Sequence, residues 1–240
     1  MSKVISKIFS SREVDCFDRG CHTFVNPYSY LVLRKKTLSI ENIDHIHLDG
    51  WLSCFVFSKL FGFNFQRKSF DLTSIGKDVL VKLNSEHSTL SIVGSTTHDV
   101  NKFVNWIKRE YSNITCIYHR DGYFESPSEV SDTINMIVSC KPDLVIVGMG
   151  AGKQEQFLSK LAKSEFSGSA FTCGGFIHQT ASKSGEYYPH LFDRLNLRWL
   201  FRMLDEPKLI YRYVKYYPLF IVVFILDFYR YKKQSTKEFI

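Results

Sequence analysis

Four short stretches of the chain combine residue types that handle phosphate and protons. The run Val145 to Leu158, VIVGMGAGKQEQFL, passes from β-branched residues through Gly148, Gly150 and Gly152 into a helix-like stretch. A strand, a glycine turn and a helix start, in that order, offer backbone N–H groups and a positive helix end to an anion. Neither familiar nucleotide signature fits. A dinucleotide fingerprint requires glycine where Lys153 stands; a P-loop requires glycine at Val147 and serine or threonine at Gln154. What survives is the physics of the turn: an anion site, or a tight connection without a ligand.

The second stretch is HLDGW, residues 47–51. A carboxylate at a strand end before a glycine turn suits a general base, and it equally suits a helix cap. The third is FQRKSFDLTS, residues 65–74, where Arg67 and Lys68 form a cationic pair near a helix start. Such a pair can neutralise a diphosphate or simply be solvated. The fourth is CGGFIHQTA, residues 173–181, a second glycine turn through Gly174 and Gly175. Its His178 is either a proton carrier or a hydrogen-bonded structural residue. The chain shows no D-x-D motif, no His/Asp/Glu cluster at metal spacing and no G-x-S-x-G elbow.

The elements that must position these residues alternate. Strand-like segments cover residues 43–48, 89–93, 114–118, 143–147 and 169–173. Helix-like segments cover 51–61, 71–83, 99–111, 126–140 and 154–163. The helix at 99–111 carries Val100, Phe103, Val104 and Ile107 on one face, and Ser126-Pro127-Ser128-Glu129 reads as a capping box. This alternation predicts an α/β fold: a mainly parallel, Rossmann-like sheet with helices on both faces. In such sheets ligands sit beyond the carboxyl ends of the strands, which places Asp49, Gly94, Gly148 and Gly174 along one rim.

A chain of 240 residues with 45% hydrophobic and 23% charged residues can bury a core. Its six cysteines include no C-x-x-C pair, which argues against a zinc site. Cys54, Cys116, Cys140 and Cys173 lie in apolar runs, as buried, reduced thiols of the cytoplasm do. The first residues lack the apolar core of a signal peptide.

The formal net charge is +7, and arginine and lysine crowd residues 194–237, opposed there only by Asp205, Glu206 and Asp227. That excess points to an anionic partner. The apolar and aromatic residues between the cations speak against nucleic acid, since no recognition module is visible. The uncharged run 216–226 is short of the roughly 20 residues that span a bilayer. Two readings stay open: a helix lying on an anionic membrane surface, or one docked on the core. The expected division is an α/β domain, 1–195, and a basic, aromatic helical appendage, 196–240.

Together these segments resemble the WecG/TagA/CpsF family of bacterial glycosyltransferases, from about residue 23 to 213. FVNPYSYLVLRK resembles the family's early asparagine-containing strand, IDHIHLDGW its Asp-Gly segment and RKSFDLTS its Arg-then-Asp segment. HRDGYF resembles its Gly-Tyr-Phe turn, and VGMGAGKQEQF its G-x-G-x-P-x-Q-E signature. LNLRWLFRMLDEPKLIYRY resembles its closing G-L-E-W segment. This chain departs from the pattern at Gly152 (for Pro), Ile177 (for Asp), Asn196 (for Gly) and Arg198 (for Glu).

The resemblance implies inverting transfer of an N-acetylhexosamine-type sugar from a nucleotide diphosphate, UDP above all. The acceptor is a sugar on a polyprenyl diphosphate, and the enzyme sits peripherally on the inner face of the cell membrane. It implies no metal and no cofactor. It makes Asp49 the base, with Arg67, Arg202 and Arg212 meeting the leaving group. Substrate contacts fall to Asn26, Gly50, Gly94, Tyr123, Gly148, Gly150, Gln154, Glu155, Gly174 and Gly175. The basic tail serves the membrane contact, or packs on a neighbouring copy in a homo-oligomer. The alternative function is a non-catalytic protein that binds a nucleotide sugar or an anionic lipid on the same scaffold.

Overall fold

The computed structural model describes residues 2–183 and 198–237. Its strands are β1 (Cys21–Val25), β2 (His45–Leu48), β3 (Thr89–Gly94), β4 (Thr115–Arg120), β5 (Leu144–Gly148) and β6 (Ser169–Thr172). They form one sheet in the order β2-β1-β6-β5-β3-β4, and every pairing is parallel. Every strand therefore ends on the same edge, which builds the expected rim.

All the strands but β4 are buried almost throughout, as parallel sheets require, while the edge strand β4 is only partly buried. In β5, Val145 and Val147 face one layer of helices while Leu144 and Ile146 face the other. The first layer holds α1 (Ser2–Ser10), α2 (Pro27–Leu33), α3 (Trp51–Phe61), α6 (Pro127–Cys140) and α7 (Lys153–Leu161). The second holds α4 (Ile75–Ser85), α5 (Thr97–Glu110) and α8 (Phe176–Lys183). Two helices follow, α9 (Arg198–Asp205) and α10 (Lys208–Lys237).

Local chemistry accounts for three departures from the sequence reading. The segment FVNPYSYLVL is strand only to Val25; Asn26 then caps α2, with Ser29 returning the bond and Pro27 at the first helical position. The helix expected at 71–83 starts at Ile75, because Thr73 donates its N–H and hydroxyl to Asp71 and makes residues 71–74 a turn. Ser126 caps α6 by accepting from the Glu129 N–H, but the Glu129 carboxylate bonds the Glu125 N–H and Arg120 instead. The capping box is thus one-sided. Cys54 and Cys173 are buried, while Cys116 and Cys140 are only half-buried.

The expected boundary at 195/196 falls outside the described residues. Beyond it, α10 docks along α2 and α1. Phe220, Phe224 and Phe228 are buried, with Phe224 stacked on Phe57 at 4.1 Å. Between them Asp227, fully buried, takes both Arg34 Nε at 2.8 Å and Arg34 NH2 at 2.9 Å, and the Tyr30 hydroxyl at 3.1 Å. Burial together with the Asp227 charge holds the Tyr30 hydroxyl well above its ordinary range. Length and composition alone would let residues 209–234 cross a membrane. The buried ion pair and phenylalanines instead tie one face of the helix to the domain.

Candidate active site

Asp49 stands one residue past β2, its N–H donating to the Val25 carbonyl at 2.9 Å. Gly50, at φ +83, turns the chain into α3 and is itself the N-cap, so the Asp49 carboxylate caps nothing. It accepts from Arg67 Nε at 3.0 Å. The other side of the same guanidinium donates to Asp71 at 2.7 Å and to the Ser69 hydroxyl at 2.5 Å. Burial pushes the Asp71 carboxyl up, but the Arg67 charge and bonds from Ser69 and Thr73 hold it below the usual carboxylate range. Arg67 is thus a single cation shared by two carboxylates. Lys68 is used differently: its N–H pairs with the Leu48 carbonyl and its ammonium reaches the Val14 carbonyl.

Beside Asp49, β1 ends at Val25, opposite Leu48, and delivers Asn26. The Asn26 side-chain oxygen is committed to the α2 cap, while its amide NH2 has no partner among the described residues. Two residues on, the Tyr28 ring lies under the Arg212 guanidinium at 4.2 Å. This cation–π contact brings the start of α10 to the rim. Arg202 lies on α9, and its side chain is outside the described residues.

The two halves of the sheet part between β3 and β5. From β3 the chain moves outward to β4; from β5 it moves the opposite way to β6. That is the switch point where open α/β sheets take ligands. Gly94 and Gly148 face each other there, and a Cβ on Gly94 would strike the Gly148 carbonyl, so only glycine fits. Gly150 is exposed, as are Gly174 and Gly175 at the end of β6. Tyr123 is also exposed, on the turn after β4.

Gln154 and Glu155 lie beneath this loop rather than on its open side. Glu155 is fully buried and accepts from the Gly152 N–H at 2.6 Å, Gln154 Nε2 at 2.9 Å and the Thr23 hydroxyl at 3.0 Å. Thr23 also bonds Thr172 at 2.8 Å. Burial pushes the Glu155 carboxyl up despite these bonds. Glu155 therefore fixes the loop to β1 and β6, and the Gly152 N–H is not available to a ligand. The Gln154 side-chain oxygen is buried without a partner among the described residues.

A third group, not foreseen as a unit, sits at the switch point. Ser95 follows Gly94 at φ +56, a left-handed conformation that costs a non-glycine residue energy. Its N–H donates to the Gly148 carbonyl at 2.9 Å, and its carbonyl accepts from the Gly122 N–H at 3.0 Å. Its hydroxyl donates to Asp99 at 2.7 Å, and the same Asp99 oxygen bonds His178 Nδ1 at 2.9 Å. Burial pushes the Asp99 carboxyl up, but the bonds from Ser95, His178 and Thr96 leave it below the ordinary range.

A carboxylate beside an asparagine, an arginine brought in by a terminal helix and glycine turns at a switch point match a known order of motifs. The profile of the glycosyl transferase WecG/TagA/CpsF family matches residues 3–234. The chain belongs to this family. It is a glycosyltransferase on an α/β scaffold.

Its relatives include the UDP-Gal:alpha-D-GlcNAc-diphosphoundecaprenol beta-1,4-galactosyltransferase of Shigella boydii, 35% identical over 208 residues, covering 87% of this chain and 86% of the relative. The N-acetylglucosaminyldiphosphoundecaprenol N-acetyl-beta-D-mannosaminyltransferase of Bacillus spizizenii is 27% identical over 170 residues, 70% of this chain and 63% of the relative. The enzyme of that name from Staphylococcus aureus is 27% identical over 135 residues, 56% and 51% of the two chains.

The glycosyltransferase rim gathers Asp49, Gly50, Asn26, Gly174, Gly175, Gly148, Gly150, Gly94 and Tyr123 on one edge. Asp49 and Gly148 end strands three positions apart, about 14 Å at roughly 4.8 Å per strand. Sequence reasoning noted Asp71 only within the Arg-then-Asp segment and gave no role to it, to Ser95 or to Asp99. Asp71 carried a signal in its four-residue spacing from Arg67; Ser95 and Asp99 carried none.

Proposed function

We propose that this glycosyltransferase moves a hexose from a UDP donor to a sugar on a polyprenyl diphosphate, with inversion and with Asp49 as the base. The observation that carries the reading is the Asp49 carboxylate itself. It is part-exposed on the rim, caps no helix and is aimed by Arg67. Inverting transfer needs such a base to take the acceptor hydroxyl's proton. An α-linked nucleotide sugar that yields a β-linked product is inverted once, and the β-1,4 linkage in the Shigella boydii relative's name supports this outcome.

The donor's diphosphate lies along the exposed turns at Gly150, Gly174 and Gly175, over the buried contact of Gly94 with Gly148. The acceptor meets Asp49, Gly50 and the free amide of Asn26. Arg67 orients the base, and Arg212, with Arg202, answers the diphosphates' charge. Gln154 and Glu155 act from below by shaping the loop. The identity pattern favours a plain hexose over an N-acetylhexosamine, since the 35% relative is named for galactose and the 27% relatives for N-acetylmannosamine. Metal independence is supported by the commitments of the rim carboxylates: Asp49 and Asp71 to Arg67, Asp99 to His178 and Ser95. The terminal helix holds the enzyme on the anionic inner surface of the membrane, without nucleic acid.

The test is transfer from UDP-galactose and its N-acetylated analogues to a short-chain polyprenyl-diphosphate GlcNAc. Asp49→Asn is expected to lose turnover by about 100-fold or more, the scale of general-base catalysis, while folding and UDP binding persist. Turnover is expected to survive chelation. Near-normal transfer by Asp49→Asn would remove Asp49 as base.

A further inference from the structure

The Asp99–His178 pair has no part in the reading above, yet its geometry is that of a held and aimed imidazole. His178 lies on the third residue of α8, after the Gly174-Gly175 turn, and Asp99 on the third residue of α5, after Ser95. Both helices leave the rim at the switch point, α5 from β3 and α8 from β6, with β5 between those strands. Asp99 is anchored on three sides. Its N–H bonds the Thr96 hydroxyl at 3.2 Å, and its carboxylate takes the Ser95 hydroxyl and the His178 ring. Ser95 is in turn pinned to Gly148 and Gly122 by its backbone.

The pair is therefore fixed to the ends of β3, β4 and β5. Asp99 is nearly buried, whereas the His178 side chain is 53% exposed. A carboxylate that accepts at Nδ1 orients the ring and leaves Nε2 as its outer atom. Nε2 has no partner among the described residues. A merely structural histidine has no reason to carry an anchored carboxylate behind a half-exposed ring. In its protonated form the ring donates from both nitrogens, Nδ1 to Asp99 and Nε2 outward.

What that atom meets follows from the crevice. The exposed turns at Gly150 and Gly174 have nothing where a Cβ would stand, so a ligand can approach the backbone closely there, while the buried Gly94–Gly148 contact holds the strand ends together beneath them. Arg67, the rim's arginine on the β2 side, is shared between Asp49 and Asp71 about three strands away. We propose that His178 in its protonated form, held at Nδ1 by Asp99, donates its Nε2–H to the diphosphate of the nucleotide-sugar donor. This rests on the donor assignment made above. During transfer the anomeric C–O bond to the diphosphate breaks as the bond to the acceptor oxygen forms. The acceptor proton goes to Asp49. The electron pair leaves with the nucleoside diphosphate, whose new charge the Nε2–H meets.

The test compares binding of UDP and of uridine to the full chain by calorimetry. His178→Ala is expected to weaken UDP by about tenfold or more, the effect of losing one charged hydrogen bond, and to leave uridine within about twofold. His178→Gln, which keeps a donor, recovers part of the UDP affinity. Asp99→Asn weakens UDP in the same selective way. The apparent Tm of the His178 variants without ligand stays at the wild-type value, since the ring is half-exposed. Equal losses for UDP and uridine, or no loss for UDP, overturn the proposal. Wild-type protein that binds no nucleoside diphosphate at all, with ADP, GDP and dTDP tried beside UDP, overturns the donor reading itself.

Discussion

Arg67 joins two carboxylates, and that sharing decides what each can do. A guanidinium offers donors in a fixed fork, so Nε can hold Asp49 while NH2 holds Asp71 and Ser69. A lysine is a point charge and cannot span both. Arg67→Lys is therefore expected to lower kcat by about tenfold or more through a loosened base, while UDP affinity changes little. Steady-state kinetics with separate donor titration would show this, and an unchanged kcat would deny Arg67 its orienting role. Asp71→Asn should have the same kinetic signature and cost about 1–3 kcal/mol of stability in urea titrations, because it weakens a buried charged bond. Asp49 was legible in the sequence because an Asp-Gly pair after an apolar strand marks a rim position. The duty of Arg67 was not: Asp71 meets it only once residues 67–71 fold back beside the end of β2. The Asp99–His178 contact was still further from view, because 79 residues separate the partners.

At the scale of elements, β1 and β2 carry a histidine pair that the strand pattern did not announce as polar. His22 and His47 are both buried, and His22 Nδ1 lies 3.1 Å from His47 Nε2. His22 Nε2 bonds the Asp18 carbonyl at 2.9 Å, so Nε2 carries the proton. Nδ1 must then accept, and His47 donates. His22 cannot gain a proton at Nδ1 without breaking this order. Burial lowers His22 to about 4, and burial with the neighbouring His22 and Lys68 lowers His47 to about 2. The unfolded chain titrates both near 6.5. Above that pH neither state binds the protons, and the pair's contribution to stability is complete. As pH falls from 6.5 through 4, the unfolded chain takes up protons that the native state refuses. Stability is then lost by up to about 1.4 kcal/mol per pH unit for each histidine. Urea unfolding at pH 7.5, 6 and 5 should show that loss, and His47→Gln should flatten it by about one proton. Identical slopes in the two proteins would place the acid sensitivity elsewhere. The helices α3 to α7 and five of the strands were legible because glycine, proline and apolar periodicity marked them; α1, α2 and α8 were not. The start of α4 was not, because its first turn is claimed by the Asp71 side chain.

For the whole molecule the terminal helix poses the question of how a compact enzyme would reach the lipid-borne acceptor proposed for it. The sequence left two readings open, and α10 has a face for each. Phe220, Phe224, Asp227 and Phe228 face the domain. Tyr211, Val214, Val222, Leu226 and Tyr229 are exposed and recur at helical spacing, beside Arg212, Lys215, Arg230, Lys232 and Lys233. An apolar stripe flanked by cations is what an anionic bilayer surface binds. Deleting the helix would not test this, because it would also strip the core of its phenylalanines and leave Arg34 without its buried carboxylate. Phe224→Ala alone should cost about 3–5 kcal/mol. The informative change is on the outer face. Val222→Glu combined with Leu226→Glu should keep the wild-type Tm and full transfer to a water-soluble short-chain acceptor. The same protein should lose sedimentation with vesicles rich in anionic lipid and lose transfer to acceptor carried in them. Two buried aliphatic side chains contribute about 3–6 kcal/mol, so the loss should exceed 100-fold in partition. Wild-type sedimentation by this double variant would mean that the exposed stripe does not meet the membrane.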